Sequence, residues 1–334
     1  MKKLYPFLIL LLLSINIKAQ DTFSIIAVDP VTGDIGSIGA SCVTGASGAF
    51  DTWVTDIIPG RGGVNSQAYI CLPNTNLQNA IARMEEGMDP QEIIDWLLLN
   101  DSCSSQNYNP EYRQYGIVDL DGNGDPRSAG WTGSLADDYK EDRQGINFSV
   151  QGNILLDQSV IDNMEDNFNN TSGTLADKLM SSLQGANFPG ADSRCLANGT
   201  SSRAAWFVVY RADDEPGDPY LKLVVPTQAI GVEPIDVLQG MYDDFLAVNE
   251  FDLENMIDLY PNPADNVLVV SNDPLLDISE MEILDINGRR VNLIESSSIK
   301  GNEQTIDVSS LQNGLYFINV TSSKGNHSFK FVKE

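Results

Sequence analysis

The sequence predicts an α+β protein in two folded parts: two β-sheets sandwiched between helix layers, then a small all-β sandwich. Three observations predict it. Up to Val225, apolar stretches with strand alternation fall into hairpins, and two pairs of amphipathic helices stand between them. From Leu259 onward only strand and turn patterns occur. Between the two lies Thr227 to Asn255, which carries Asp243, Asp244, Glu250, Asp252 and Glu254 with some helical spacing. The expected boundaries are a leader at 1–20, a first domain at 21–226, an acidic linker with a short helix at 227–256, and a closing domain at 257–334.

Residues 1–20 read as a secretory signal. Lys2 and Lys3 precede an apolar run from Leu4 to Ile17, which is short for a membrane span, and Ala19 supplies a small residue for cleavage. Cleavage after Ala19 leaves Gln20 first and Thr22 third. No later run is long enough to cross a bilayer, so no transmembrane segment is expected in the mature chain. The net charge of −27 argues against nucleic acid and anionic membranes as partners. No cofactor is required by the pattern, and calcium is the one ion such acidity favours.

The four cysteines, Cys42, Cys71, Cys103 and Cys195, allow three full pairings, and the sequence does not choose among them. None forms a C-x-x-C pair. The single histidine is His327, close to the end of the chain. The first domain therefore cannot use a Ser-His-Asp or Cys-His mechanism, or a histidine-bound metal.

Taken in order, the first hairpin runs from Thr22 to Cys42. Phe23, Ile25 and Ala27 alternate with Ser24, Ile26 and Val28, and this suits a strand covered on both faces. Pro30 and Gly33 shape its turn. After a Gly- and Ser-rich loop, Trp53–Ile58 and Gly63–Ile70 read as a second strand pair around Pro59 to Gly62. Leu77, Ile81 and Met84 share a helix face that Gly87 closes. Asp89, Pro90 and Glu92 then start a second helix as N-cap, first helical residue and capping-box partner. Tyr112–Leu120 and Arg127–Thr132 form a hairpin about Asp121 to Gly124, and Phe148–Leu155 is a further strand. Val160, Met164 and Phe168, then Leu175, Leu179 and Leu183, define the second helical pair. Ala204–Tyr210 and Tyr220–Val225 complete the first domain.

In the closing domain, Val267 and Val269, Met281 and Ile283, Tyr316, Ile318 and Val320, and Phe329 and Phe331 each alternate, with turns at Asn287-Gly288 and Asn313-Gly314. Four stretches here carry a resemblance: Leu259-Tyr260-Pro261-Asn262-Pro263, the turn Asp285 to Gly288, Gly314-Leu315-Tyr316, and Lys330-Phe331-Val332-Lys333. Together they resemble the type A carboxyl-terminal sorting domain of the type IX secretion system of Bacteroidota, an immunoglobulin-like sandwich. The resemblance implies that the partner is the type IX machinery. It also implies passage through periplasm and outer membrane, and a final location that is secreted or at the cell surface.

The first domain carries a second resemblance. Thr22-Phe23-Ser24-Ile25 with Asp29-Pro30 and Thr32-Gly33, then Gly63 to Ala68, then Arg113 to Asp119, Thr132-Gly133, Gln151-Gly152-Asn153 and Gly190 to Arg194 resemble the domain-of-unknown-function 1028 family. That family implies a four-layer αββα N-terminal nucleophile hydrolase-like sandwich. In such a hydrolase a terminal Thr, Ser or Cys attacks an amide and its own α-amine, which titrates near neutrality, serves as base. Thr22 fits by type and position. Asn153, and likewise Gln67, could donate to an oxyanion. Asp192 and Arg194 could fix a substrate carboxylate, tune the amine, or pair with each other to order their loop. Cys42 reads as a buried or disulfide cysteine. The substrate class is an unidentified small-molecule or peptide amide, and a homo-oligomer is compatible with the pattern.

Thr22 can act only if Gln20 and Asp21 are removed from a chain cut after Ala19. Otherwise the alternative holds, a non-catalytic secreted or surface binding module that retains the fold. The remaining candidate is a calcium loop at Asp119, Asp121, Asn123 and Asp125, with Gly124 in the sixth place. Its twelfth place is Gly130, where a bidentate Glu should stand.

Overall fold

The computed structural model describes residues 22–334 apart from 274, 275, 277, 296–300, 323 and 324. The expected signal at 1–20, and Asp21, lie outside the described residues. Contacts group the chain through Gln239 into one compact unit and Gly240–Glu334 into a second.

The first unit opens with β1 (Phe23–Val28) and β2 (Ile35–Ser41), every residue of which is buried. The reversal between them needs a positive φ, which Gly33 supplies at 77°. Asp51–Val54 forms a single helical turn, α1, so the strand expected from Trp53 begins only with β3 (Thr55–Ile58) and pairs with β4 (Gly62–Gln67). That second strand stops short of the expected Ile70 because Ala68 and Tyr69 adopt positive φ values of 60° and 51°.

Helices α2 (Thr75–Glu85) and α3 (Pro90–Leu99) follow. Asn74 caps the first through the Leu77 N–H. The second starts in the expected capping box, in which Asp89 accepts from the Glu92 N–H at 2.8 Å and Glu92 accepts from the Asp89 N–H at 3.0 Å. Then come β5 (Gln114–Leu120), β6 (Pro126–Thr132), β7 (Glu141–Gln144) and β8 (Phe148–Gly152). Strand β7 has no apolar pattern because it is an edge strand with partly exposed side chains. Helices α4 (Ser159–Asn170) and α5 (Leu175–Gln184) precede the hairpin of β9 (Ala204–Tyr210) and β10 (Leu221–Val225).

Two antiparallel sheets result, with strand orders β10-β9-β2-β1-β8-β7 and β3-β4-β5-β6. Helices α4 and α5 lie against β1, β2, β7 and β8, whereas α2 and α3 lie against β3 to β6. The sheets face each other through β1 against β4 and β5, and β8 against β5 and β6. Their shared apolar core contains Ile26, Val28, Ile35, Val118, Leu120 and Trp206. Another core, under α2 and α3, is built from Val64, Leu77, Met84, Ile94, Leu97, Tyr115 and Ile117. Two disulfides fix the pairing that the sequence left open: Cys42 with Cys195, and Cys71 with Cys103.

The acidic stretch expected as a linker with a short helix is helical over Pro234–Met256 (α6). Its approach is bound to the first unit. Glu233 accepts from the backbone N–H and the hydroxyl of Ser201, and Ala46 N–H donates to the Thr227 hydroxyl.

The second unit contains β11 (Ile257–Tyr260), β12 (Val267–Asn272), β13 (Ile278–Asp285), β14 (Arg290–Glu295), β15 (Glu303–Asp307), β16 (Gly314–Ser322) and β17 (Gly325–Lys333). They form sheets of order β11-β12-β15 and β14-β13-β16-β17. Leu268, Val270, Met281, Ile283, Ile318, Val320 and Phe331 fill the core, and Tyr316 stacks on Phe331.

Candidate functional site

The residue ahead of β1 is held on several sides. Thr22 is fully buried, and its backbone N–H donates to Asn153 Oδ1 at 3.3 Å. Its carbonyl accepts from the Asn153 N–H at 3.2 Å and from Gln67 Nε2 at 2.8 Å. The register explains the placement. Phe23 lies opposite Ala40 on β2 and Gly152 on β8, so one step back sets Thr22 beside Ser41 and Asn153.

Asp192 and Arg194 come to the same corner, but they bind each other. Arg194 Nε and Nη2 reach the two carboxylate oxygens of Asp192 at 2.9 and 2.5 Å. Asp192 also accepts from the Cys42 N–H at 2.8 Å and bridges to Leu155 just past Asn153. Arg194 Nη2 lies 3.5 Å from the Ser41 hydroxyl, and the Cys42–Cys195 disulfide ties the two segments together. The four expected residues, Thr22, Asn153, Asp192 and Arg194, therefore gather around the end of β1.

Gln67 departs from its expected role. Its amide nitrogen donates to the Thr22 carbonyl and, at 2.7 Å, to Gln114 Oε1, so both hydrogens are directed into the protein. Gln67 is part of a larger polar seam that sequence reasoning missed. The Ser24 hydroxyl donates to Gln67 Oε1 at 2.7 Å and accepts from Gln151 Nε2 at 2.6 Å and Asn65 Nδ2 at 3.1 Å. Asn65 in turn accepts from Ser37, whose hydroxyl accepts from the Trp206 indole N–H. Gln114 Nε2 donates to the Gly152 carbonyl at 2.9 Å and to Thr132 Oγ1 at 2.8 Å. All of these except Thr132 are buried, and each of these buried polar groups has a hydrogen-bond partner, as burial requires. The available signal was Ser24, Ser37, Asn65 and Gln151 standing at inward positions of otherwise apolar or small-residue strands.

Beyond Asn153 the rim is built by backbone and by phenols. Ile154 N–H donates to the Asp137 carbonyl, and the Asp137 carboxylate accepts from Tyr69 OH at 2.7 Å. Tyr139 donates to Glu141 at 2.7 Å. That hydrogen bond first, then burial and the Glu141 charge, push the Tyr139 phenol up to about 12, so it stays protonated at neutral pH.

The calcium candidates sit elsewhere and do not converge. Asp119 is buried between Arg61 and Arg127, at 3.0 and 2.6 Å. Asp121 accepts from the N–H groups of Asn123 and Asp125, and these bonds hold its carboxyl below the usual range. Among the described residues no group of three or more acidic, histidine or cysteine side chains is placed to hold a metal.

Comparison with known proteins gives two family matches. The family of unknown function DUF1028 matches residues 22–234, and the secretion system C-terminal sorting domain matches residues 258–334. A crystal structure of a Silicibacter pomeroyi protein, itself assigned to DUF1028, superimposes with a TM-score of 0.52 at 24% identity. The match covers 67% of this chain and 88% of that one, and it shows the fold. No curated protein matches the sequence. The sorting domain implies export, to the medium or the cell surface, with the type IX machinery as partner. No helix among the described residues is long and apolar enough to cross a membrane.

Proposed function

Because the chain belongs to the family of unknown function DUF1028, we propose that it is an exported amide hydrolase whose nucleophile is Thr22, set free by removal of the residues before it. The first unit is read as a four-layer αββα sandwich of the N-terminal nucleophile hydrolase kind, and the second as an immunoglobulin-like sandwich. One observation carries the reading: the Thr22 nitrogen is held by Asn153 Oδ1 at the start of a fully buried central strand. As a free amine, that nitrogen could donate one hydrogen to Asn153 and turn its lone pair toward its own hydroxyl.

The chemistry then needs no histidine. Thr22 Oγ1 bonds to the carbonyl carbon of the substrate amide while its proton passes to the α-amine. The C–N bond breaks as that proton moves to the leaving nitrogen, which departs as an amine. Water, deprotonated by the same α-amine, cleaves the resulting ester and restores Thr22. An α-amine of ordinary pKa, about 7.7–8.0, makes the rate rise through that range as the base form accumulates. Asp192 and Arg194, locked to each other, would position the corner and present the guanidinium to an acidic substrate group.

The test is the terminal peptide of the protein recovered from its native secreting cells, read by mass spectrometry. A start at Thr22, with hydrolysis of a panel of amides lost in Thr22→Ala, is the expected result. A start at Gln20, or equal activity in Thr22→Ala, would remove the mechanism and leave a binding module on the same fold.

A further inference from the structure

Thr22 stands two residues before Ser24, so their side chains share the face that looks into the space between the two sheets, where the Ser24 hydroxyl meets Gln67 and Asn65. The mouth of that space is spanned by a side-chain link. Tyr69, two residues beyond Gln67, donates its hydroxyl proton to Asp137 Oδ2 at 2.7 Å, and the Asp137 carbonyl accepts from the N–H of Ile154, the residue after Asn153. Tyr69 and Asp137 therefore border the space in which the Thr22 side chain lies, one from the end of β4 and the other from beside the end of β8.

The chemistry of this border suits an ammonium group. Asp137 is half-buried, and the phenol it accepts from is neutral, so the carboxylate keeps its negative charge. The neighbouring cations are engaged elsewhere: Lys140 with Asp138, Arg143 with Glu141, Asp162 and Glu165, and Arg113 with Asp101. Among the described residues no basic side chain pairs with Asp137. Beside it the rings of Tyr69 and Tyr112, both half-buried, meet edge to face with centroids 5.3 Å apart. A carboxylate next to aromatic faces attracts an ammonium by charge, by hydrogen bonding and through the ring quadrupoles. The backbone is strained on both sides of the mouth: Ala68 and Tyr69 have φ values of 60° and 51°, and Ile154, a β-branched residue, has 54°. Tyr69 is kept in place because its carbonyl accepts from Arg113 Nη1 and the Ser105 hydroxyl, and the Cys71–Cys103 disulfide follows two residues later. Such strain is held where a fold must present groups in a fixed arrangement.

We propose that Asp137, with Tyr69 and Tyr112, makes this corner specific for amides whose acyl part carries a primary ammonium group. The acyl part stays bonded to Thr22 through the ester stage, so it occupies the space that the Thr22 side chain faces, while the leaving amine must depart. Its ammonium would donate to the Asp137 oxygen that Tyr69 does not use and lie against the two rings. The proposal rests on the reading of Thr22 as the nucleophile and adds the substrate class.

The test is calorimetric binding to the chain made to begin at position 22, with Thr22→Ala to stop turnover, in about 0.15 M salt so that the acidic surface is screened. The probes are the anilides of glycine, β-alanine and 4-aminobutyric acid, which carry the ammonium at increasing distance from the amide, and the N-acetyl form of each, which lacks the charge. At least one ammonium probe should bind about tenfold or more tighter than its N-acetyl form. Asp137→Asn, which keeps an acceptor for the Tyr69 hydroxyl, should remove that preference. Asp138→Asn, at a neighbouring carboxylate whose side chain is 83% exposed, should leave it unchanged. Should Asp137→Asn fail to fold by circular dichroism, Tyr112→Leu takes its place and should narrow the preference about threefold. Equal affinity for charged and acetylated probes, binding of neither, a preference that survives Asp137→Asn, or one lost equally in Asp138→Asn would overturn the proposal. Turnover with Thr22 in place separates the two readings. Hydrolysis that needs Thr22 but ignores the ammonium overturns this proposal alone, whereas ammonium binding through Asp137 without hydrolysis overturns the nucleophile alone.

Discussion

Gly116 on β5 faces Gln151 on β8 so closely that a Cβ at position 116 would lie 2.1 Å from Gln151 Oε1 and 2.9 Å from the Ser149 hydroxyl. Gln151 is the donor that meets Ser24 at 2.6 Å. Gly116→Ala must therefore displace Gln151 or part the sheets, at a cost of about 1–3 kcal/mol for overpacking. Thermal denaturation should show a clearly lowered Tm, and an unchanged one would mean that the sheets can separate without loss.

Arg113 is 1% exposed and ties together the segment between α3 and β5. It pairs with Asp101 at 2.7 Å and donates to the carbonyls of Tyr69, Cys103 and Ser105. Arg113→Leu leaves the Asp101 carboxylate buried without its partner, and should cost about 3–5 kcal/mol. Urea denaturation should also show that Arg113→Leu with Asp101→Leu recovers part of that loss, because the orphaned charge is then gone.

The two disulfides close loops of different size, with sequence separations of 153 for Cys42–Cys195 and 32 for Cys71–Cys103. Chain entropy assigns them about 5 and about 4 kcal/mol. Paired serine variants measured by equilibrium denaturation should rank in that order. A reversed order would show that residual structure in the unfolded chain dominates.

Asp34, at the end of the first hairpin turn, has its carboxyl raised above 3.8, chiefly by burial. The Thr32 hydroxyl and Arg211 oppose the rise, and Asp29 and Asp214 add to it. The folded chain therefore holds this proton to a higher pH than the unfolded chain. Its contribution to stability is present in acid and falls as the pH rises past 3.8 toward the folded value. Asp34→Asn should gain stability relative to wild type across that interval and keep a constant offset above it, as read from denaturation midpoints at successive pH values.

Much of this architecture was legible in the residues. Capping residues such as Asp89 and Glu92, and apolar spacing such as Val160, Met164 and Phe168, specify helices locally, and the structure places α3 and α4 accordingly. Strand β7 was not legible, because Glu-Asp-Arg-Gln becomes a strand only by pairing with β8. Within the site, Thr22, Asn153, Asp192 and Arg194 were reached through motifs. The Ser24, Asn65, Gln67, Gln114 and Gln151 seam was not, since Gln151, 127 residues from Ser24, meets it only when β8 pairs with β1, and Gln67, 43 residues away, only when the second sheet stacks on the first. Gln67 shows the limit well: its residue type suggested a donor to ligand, while tertiary packing turned both of its hydrogens inward.

That seam also bears on how the fold selects itself. Val, Ile and Leu side chains between sheets tolerate sliding, because one aliphatic contact substitutes for another. Amide and hydroxyl groups do not, and a one-residue slip of β1 would send Ser24 to the opposite face and take from Gln67 Oε1 and Gln151 Nε2 the buried hydroxyl that each meets. The hydrogen-bonded layer works as a keyed joint that admits one alignment of the sheets, and the location of Thr22 against Asn153 is inherited from it.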